Sequence, residues 1–171
     1  TGGREIGQKL ALRLGVPFYD RELITRAAKK TGFDEKLFEQ LDKRATNSFL
    51  YSLTMFGSVG LNGMSLTDQL YLAQSNIIRE MAEDSSCVIV GRCADHVLRD
   101  FPNKFDFFIH GSIEDRVKRV QTCGDYVIEG KTPEAALEKM DKQRSTYYNY
   151  YTGKVWGKCD HYDLCINAGR P

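Results

Sequence analysis

The sequence has little proline, no long apolar run and no excess of charge of either sign. Its four prolines and 15 glycines among 171 residues exclude a collagen-like chain, and an apolar content of 42% excludes a wholly disordered one. No stretch approaches the roughly 18 consecutive apolar residues of a membrane-spanning helix. With 24 basic and 23 acidic residues, the formal charge is +1, which argues against a strongly basic nucleic-acid binder.

Cysteine and histidine are too few and too scattered to predict a metal site. The five cysteines form no C-x-x-C pair, their number is odd, and only three histidines accompany them. Free thiols in a reducing, cytoplasmic setting are therefore expected. Residues 1–4 contain neither a basic nor an apolar stretch, so no signal peptide is predicted there. The length fits a single domain over residues 1–171.

Apolar periodicity predicts short strands that alternate with helices. Compact apolar runs predict strands at 16–19, 87–90, 105–109 and 162–166, the second of them buried on both faces. Helical spacing predicts helices at 21–30, at 34–43, from residue 67 through 81, after residue 112, and from residue 132 toward 151. The inward faces are Leu70, Ala73, Ile77 and Met81 in the third helix and Ile113, Val117 and Val120 in the fourth, and Thr132 is the expected cap of the last. The alternation predicts an α/β fold in which helices cover both faces of a parallel sheet.

A glycine pair opens another helix at the start of the sequence. Gly2-Gly3 precedes an apolar face made of Ile6, Leu10, Ala11 and Leu14. Because a glycine turn that enters a helix usually follows a strand, the first strand of the sheet is expected to precede Thr1.

Ligands of open parallel sheets bind at the carboxyl ends of the strands, so the polar residues that follow each strand are the candidate site. At the glycine turn, Thr1-Gly2-Gly3-Arg4-Glu5 offers backbone N–H groups and a cation to an anion, with a plain tight turn as the alternative. The other candidates after strands are Asp20, Gly91-Arg92 with Asp95, His110-Gly111-Ser112 and Asn167-Ala168-Gly169.

Several of these residue patterns have a purely structural alternative. Asp20 is also a suitable helix N-cap. The cations Arg116, Lys118 and Arg119 fit a solvated helix face better than a phosphate site. Arg144 begins a helical stripe continued by three tyrosines, which fits either core packing or a flap that closes over phosphates.

Four segments together resemble the cytidylate kinase-like family of P-loop nucleoside monophosphate kinases. They are residues 2–7, residues 17–20, Val88-Ile89-Val90-Gly91-Arg92-Cys93-Ala94-Asp95, and residues 147–157 followed by 160–164. The resemblance implies a three-layer fold with a five-stranded parallel sheet whose first strand is missing here. It also implies an acceptor-binding insert at 34–66 and a lid at 141–160.

The resemblance assigns roles to individual residues. Asp20, Gly91, Arg92 and Asp95 would bind the acceptor nucleotide. Lys142 and Arg144 would be lid cations, and Asn167-Ala168-Gly169 would approach the donor adenine. The donor phosphates would lie on Thr1, Gly2, Gly3, Arg4 and Glu5, and the catalytic set would be Arg4, Arg92, Lys142 and Arg144. The sequence departs from the family where a phosphate-loop lysine and Ser/Thr are usual, since Gly3 and Arg4 occupy those positions.

These features lead to an expected function with two alternatives. The expected reaction transfers the γ-phosphoryl group of ATP, with Mg²⁺, to a nucleoside monophosphate, most readily CMP or dCMP. The first alternative is a catalytically weak regulator that binds nucleotides or phosphometabolites. The second, an RNA-binding module that uses the tyrosine stripe, is disfavoured by the near-neutral charge. The expected partners are small nucleotides, without nucleic acid or membrane, and apolar residues within 49–56 suggest a homo-oligomer.

Overall fold

A computed structural model describes residues 1–21, 23–24, 64–123 and 132–169, which form a mixed α/β structure. In chain order the elements are α1 (Gly3–Leu14), β1 (Phe18–Tyr19), α2 (Leu66–Asp84), β2 (Val88–Ile89), α3 (Ala94–Val97), β3 (Phe107–His110), α4 (Ile113–Cys123), α5 (Pro133–Thr152), a 3-10 helix (Cys159–His161) and β4 (Leu164–Asn167). The chain divides into two compact units. The first contains residues 1–6 and 102–171, and the second contains residues 7–101.

Each predicted strand is present, and its bounds differ by no more than two residues from the prediction. A strand ends where its ladder of hydrogen bonds ends, and side-chain pattern alone does not reveal the partner. Before β1, for example, Pro17 has no N–H to donate, although its carbonyl accepts from the Val88 N–H at 2.9 Å. The expectation of a strand buried on both faces was wrong, because Val88 and Ile89 are each only half-buried.

In the second unit, a two-stranded parallel sheet packs against helical residues. β1 pairs with β2 in the register Phe18↔Val88 and Tyr19↔Ile89. Tyr19 and Ile89 pack against a core of Ile24, Ile78 and Val97, of which the first two are fully buried. The predicted inward face of α2 is confirmed for Leu70, Ala73 and Ile77, which are all buried. Ser65 caps this helix by accepting from the Asp68 N–H at 3.1 Å.

The buried face of α1 differs from the predicted one. Its buried residues are Gly7 and Ala11, one helical turn apart, whereas Ile6 and Leu10 are 38% and 37% exposed. The helix packs through its smallest side chains because β1 and β2 lie so close. A Cβ at Gly7 would meet Val90 Cγ2 at 2.9 Å and Phe18 Cε2 at 3.1 Å.

In the first unit, a parallel pair of strands lies with two helices. β3 and β4 pair over four residues, from Phe107↔Leu164 to His110↔Asn167. α4 and α5 share an apolar cluster of Val117, Val120 and Leu137, in agreement with the predicted inward face of α4. The predicted start of α5 is also confirmed, because the Thr132 hydroxyl accepts from the Ala135 N–H at 3.3 Å and Pro133 follows it.

Some predictions fall outside the described residues. These are the helices predicted at 21–30 and 34–43, apart from the helical residues 21, 23 and 24, and the insert at 34–66, apart from residues 64–66. The single-domain organisation therefore stays a prediction. In the part of the chain that is described, no helix has both the length and the apolar character needed to cross a membrane.

The close approach at Gly7 predicts an unusual effect of alanine. In a helix interior, Gly→Ala normally stabilises by about 0.5–1 kcal/mol. We expect Gly7→Ala instead to lower the free energy of unfolding by about 1–3 kcal/mol, since its Cβ overlaps Val90. The control is Gln8→Ala at the exposed next position, which should change stability by less than about 0.5 kcal/mol. Urea denaturation of both variants decides it, and a stabilised Gly7→Ala chain would contradict the packing of α1.

Candidate functional site

The first unit contains a cavity at the point where its two strands end. Since β3 and β4 are parallel, His110 and Asn167 finish side by side, and the Ala168 N–H donates to the His110 carbonyl at 2.8 Å. The cavity there has a volume of about 270 Å³. Its walls are formed by Thr1, Gly2, Glu5, Ile6, Gly111, Asp115, Arg116, Arg119, Ala168 and Gly169.

The turn that opens α1 forms one wall of this cavity. Gly2 has a φ of 82°, in the left-handed region that favours glycine, and its carbonyl accepts from the Ile6 N–H at 2.9 Å. α1 then begins at Gly3, the second residue of the predicted glycine turn. The first N–H groups of a helix lack intrahelical acceptors and carry the positive end of the helix dipole. This wall is therefore suited to an anion.

Arg119 brings a guanidinium against that turn. A Cβ at Gly2 would lie 3.0 Å from Arg119 Cζ and 3.2 Å from its Nε, so the glycine is what admits the guanidinium. Arg119 also forms an ion pair with Glu5 in the first turn of α1. Arg4, by contrast, is exposed and does not line the cavity. The cation expected from Arg4 thus comes to this cavity from α4.

Arg116 supplies a second, more deeply buried guanidinium. Its side chain is 11% exposed, and Nη1 donates to Asp141 Oδ2 at 2.6 Å. Its Nε and Nη2 atoms are buried and have no hydrogen-bond partner among the described residues. A buried, charged donor without an acceptor is costly, so Arg116 is ready to bind an anion.

Arginines from two helices meet at one carboxylate beside this cavity. Asp141 of α5 accepts from Arg116 Nη1 of α4 at 2.6 Å and from Arg144 Nη1 of its own helix at 3.1 Å. The structure therefore brings Arg144, a predicted lid cation, together with Arg116 of α4. Favouring a solvated face for the cations of α4 was wrong for Arg116 and Arg119. Only Lys118 is exposed.

A sequence signal for these two arginines does exist. Arg116 and Arg119 are three residues apart on a helix that begins directly after a strand, so they share a face near the carboxyl end of the sheet. The apolar face of Val117 and Val120, by contrast, predicts that the cations of this helix point outward to solvent.

Asp115 and Gly169 form the opposite wall. Asp115 Oδ2 accepts from the Ser112 hydroxyl at 2.8 Å, and the Asp115 N–H donates to Ser112 Oγ at 3.1 Å. A Cβ at Gly169 would overlap Asp115 Oδ2 and lie 2.9 Å from Asp115 Cγ. Gly169 also donates its N–H to Asn167 Oδ1 at 3.0 Å. Of the predicted donor loop Asn167-Ala168-Gly169, Ala168 and Gly169 line the cavity and Asn167 does not.

The predicted lid begins inside a regular helix. α5 continues to Thr152 and ends at Gly153, whose φ is 68°. Arg144 is 44% exposed and contacts Asp141 at 3.1 Å, and Lys142 is exposed. Tyr148 is buried, which agrees with the alternative that the tyrosine stripe packs in the core.

The chain after α5 packs on β3 through aromatic rings. The Phe108 ring centroid lies 5.4 Å from that of Trp156 and 5.0 Å from that of Tyr162. The Trp156 N–H donates to Asn149 Oδ1 at 2.9 Å, which ties this segment back to α5. Closure of a lid at 141–160 stays a prediction.

The predicted acceptor residues lie in the second unit, at the carboxyl ends of β1 and β2. Asp20 is 5% exposed, and its Oδ1 accepts from the Leu23 N–H at 3.1 Å, as in the helix-cap alternative. Gly91, Arg92 and Cys93 adopt three consecutive left-handed conformations, with φ of 82°, 55° and 55°. Such a conformation is uncommon for residues with side chains. Asp95 follows in α3 and is half-buried.

The sequence model of the cytidylate kinase-like family matches residues 1–170. The chain belongs to the cytidylate kinase-like family. It is similar to the crystal structure of an uncharacterized protein from Eubacterium ventriosum, with 31% identity and a TM-score of 0.66, over 97% of this chain and 82% of that one. No curated protein matches it. Membership in this kinase-like family indicates a nucleotide kinase-like role, which in general uses ATP and Mg²⁺.

The cavity of this cytidylate kinase-like chain fits a phosphate better than it fits a bare metal ion. Nε and Nη2 of Arg116 have no acceptor among the described residues and, as cationic donors, are suited to the oxygens of an anion. Among the described residues, no three His, Cys, Asp or Glu side chains are grouped so as to hold a metal. Glu5 and Asp115 line the cavity but are engaged with Arg119 and Ser112. Mg²⁺ would therefore be held mainly by phosphate oxygens and waters.

The contact between Gly169 and Asp115 makes a specific prediction. Gly169→Ala should destabilise the chain by about 1–3 kcal/mol, because the new Cβ overlaps the Asp115 carboxylate and forces it off Ser112. Adding Asp115→Ala should recover most of that loss, since it removes the overlapping atoms. Urea denaturation of the single and double variants measures the coupling. Additive effects of the two substitutions would show that the overlap is not the cause.

Proposed function

We propose that this chain transfers the γ-phosphoryl group of ATP to a nucleoside monophosphate in the cytoplasm, and most readily to CMP or dCMP. The observation that carries the proposal is the buried guanidinium of Arg116, which lines a glycine-walled cavity at the start of α1 with two unpartnered nitrogens. The proposal includes a three-layer P-loop fold. Both parallel sheets and the glycine turn that opens α1 support it.

The donor phosphates occupy the cavity of the first unit in this proposal. The N–H groups at the start of α1 donate to phosphate oxygens. Nε and Nη2 of Arg116 donate to oxygens of the same phosphate group. Arg119 adds charge from beside Gly2. Asn167-Ala168-Gly169 receives the adenine along its backbone.

The acceptor nucleotide binds in this proposal to the residues that follow β1 and β2. Arg92 would bind the acceptor phosphate as a planar, bidentate cation. Asp20 and Asp95 would position the nucleoside. The choice of CMP or dCMP rests on the family to which the chain belongs.

Catalysis in such a site consists of positioning and charge stabilisation. An oxygen of the acceptor phosphate attacks the γ-phosphorus in line, while the bond from that phosphorus to the β-phosphate oxygen breaks. Arg144, from α5, adds charge as the phosphoryl group moves. Mg²⁺, when bound, neutralises charge on the donor oxygens. The missing phosphate-loop lysine is compensated by Arg116 and Arg119, whose guanidinium groups supply the cationic donors.

A coupled ADP-release assay tests the reaction. ATP with Mg²⁺ is incubated with CMP, dCMP, UMP or AMP in parallel, and the largest kcat/KM is expected for CMP or dCMP. Binding of ATP by calorimetry without ADP release for any acceptor would contradict the kinase proposal and indicate the regulator instead. Absence of ATP binding would remove both.

A matched pair of variants on α4 tests the donor site. Arg116→Gln should weaken ATP binding by at least about tenfold, because it removes a charge-assisted contact to phosphate. Lys118→Gln removes the same formal charge from an exposed position two residues away and should leave the ATP affinity within about threefold. Calorimetry at one fixed salt concentration measures both. Equal losses in the two variants would mean that only the net charge of α4 matters.

A further inference from the structure

Asp141 joins arginines from two helices, one of which, Arg116, lines the cavity. Its Oδ2 accepts from Arg116 Nη1 of α4 at 2.6 Å, and its Oδ1 accepts from Arg144 Nη1 of its own helix, α5, at 3.1 Å. Each carboxylate oxygen therefore holds a different guanidinium. Asp141 itself does not line the cavity, whereas Arg116 does.

The charges of this cluster do not balance. Two guanidinium groups face one carboxylate, which leaves one net positive charge. Arg116 adds two buried nitrogens without a partner among the described residues. The cluster is thus an arrangement of fixed donors that is completed by one further anion.

An arginine side chain has many rotamers, and ordering it when an anion arrives opposes binding. An arginine that is already fixed avoids that loss. Asp141 is placed to fix both arginines before the anion binds, because it uses only one nitrogen of Arg116 and leaves Nε and Nη2 for a ligand.

We infer that Asp141 is a positioning residue for anion binding: it holds Arg116 and Arg144 in place for phosphate and does not touch the phosphate itself. The inference rests on the proposed function for the identity of the ligand as a nucleotide phosphate. It assigns a role to an acidic side chain beside an anion site, where charge alone would make it unfavourable.

The sign of the effect separates this role from that of a simple counter-charge. Asp141→Asn raises the net charge of the cluster from one to two positive charges. If Asp141 were only a counter-charge, anion affinity would rise. If it positions the arginines, affinity falls, because the neutral amide no longer holds two guanidinium groups. Asp141→Glu keeps the charge and changes the geometry, so only the positioning role predicts a loss there.

The experiment measures binding of ATP and of inorganic pyrophosphate to the whole chain by calorimetry, with melting temperatures recorded for each variant. Asp141→Asn should weaken both ligands about tenfold, and Asp141→Glu about threefold. The matched control is Asp100→Asn, an exposed carboxylate paired with Arg99 at 3.5 Å, which should bind both ligands as the unmodified chain does. If Asp141→Asn fails to fold, Asp141→Glu alone decides the question.

A second arm shows whether Asp141 acts through Arg144. In an Arg144→Gln background, Asp141→Asn should cost less than its tenfold effect in the unmodified chain. Unchanged or tighter binding of both ligands by Asp141→Asn, or unchanged binding by Asp141→Glu, overturns the inference while the proposed function stands. If the unmodified chain binds pyrophosphate but not ATP, the nucleotide proposal is overturned. The inference is then tested by pyrophosphate binding to the Asp141 variants. If neither ligand binds, both fail.

Discussion

Burial of the Arg116 guanidinium is the interaction on which the first unit depends. A charged group removed from water needs both a counter-charge and acceptors for its N–H groups. Asp141 provides the counter-charge and accepts from one N–H group, that of Nη1. It thereby links α4 to α5, the two helices that share the apolar cluster of Val117, Val120 and Leu137. No described residue accepts from Nε and Nη2. The same side chain that helps to join the helices therefore keeps two donors that an anion's oxygens could fill.

Features that depend on local chemistry were predictable from the sequence. The amphipathic faces of α2 and α4, the Thr132 cap and the glycine turn before α1 each follow from residues within a few positions of one another. Strand bounds were predicted only to within two residues, since a run of apolar side chains does not say where the hydrogen-bonded partner ends. The order of strands and helices likewise indicated the parallel pairing that the structure has.

Features that depend on distant contacts were not predictable in the same way. The ion pair of Arg119 with Glu5 spans 114 positions, and that of Arg116 with Asp141 spans 25. The i, i+3 spacing of Arg116 and Arg119 groups them on one face of α4, but no residue near them in the sequence shows that Arg116 pairs with Asp141. The packing of α1 through Gly7, rather than through its larger side chains, also depends on how closely two strands approach. In each case a tertiary contact overrides a local pattern.

The cations of this cavity come from α4. This explains how α1 can carry Glu5 in its first turn, where a carboxylate would otherwise oppose the binding of an anion. A negative charge at a helix N-terminus competes with any anion for the same positive end of the dipole. Here Glu5 is paired with Arg119, so its charge is cancelled locally. The pair also holds Arg119 against the backbone of Gly2, where a side chain would exclude it. The absence of a lysine in the turn and the presence of Glu5 are then consistent with each other. The turn presents its N–H groups to the cavity, and α4 presents the positive charge.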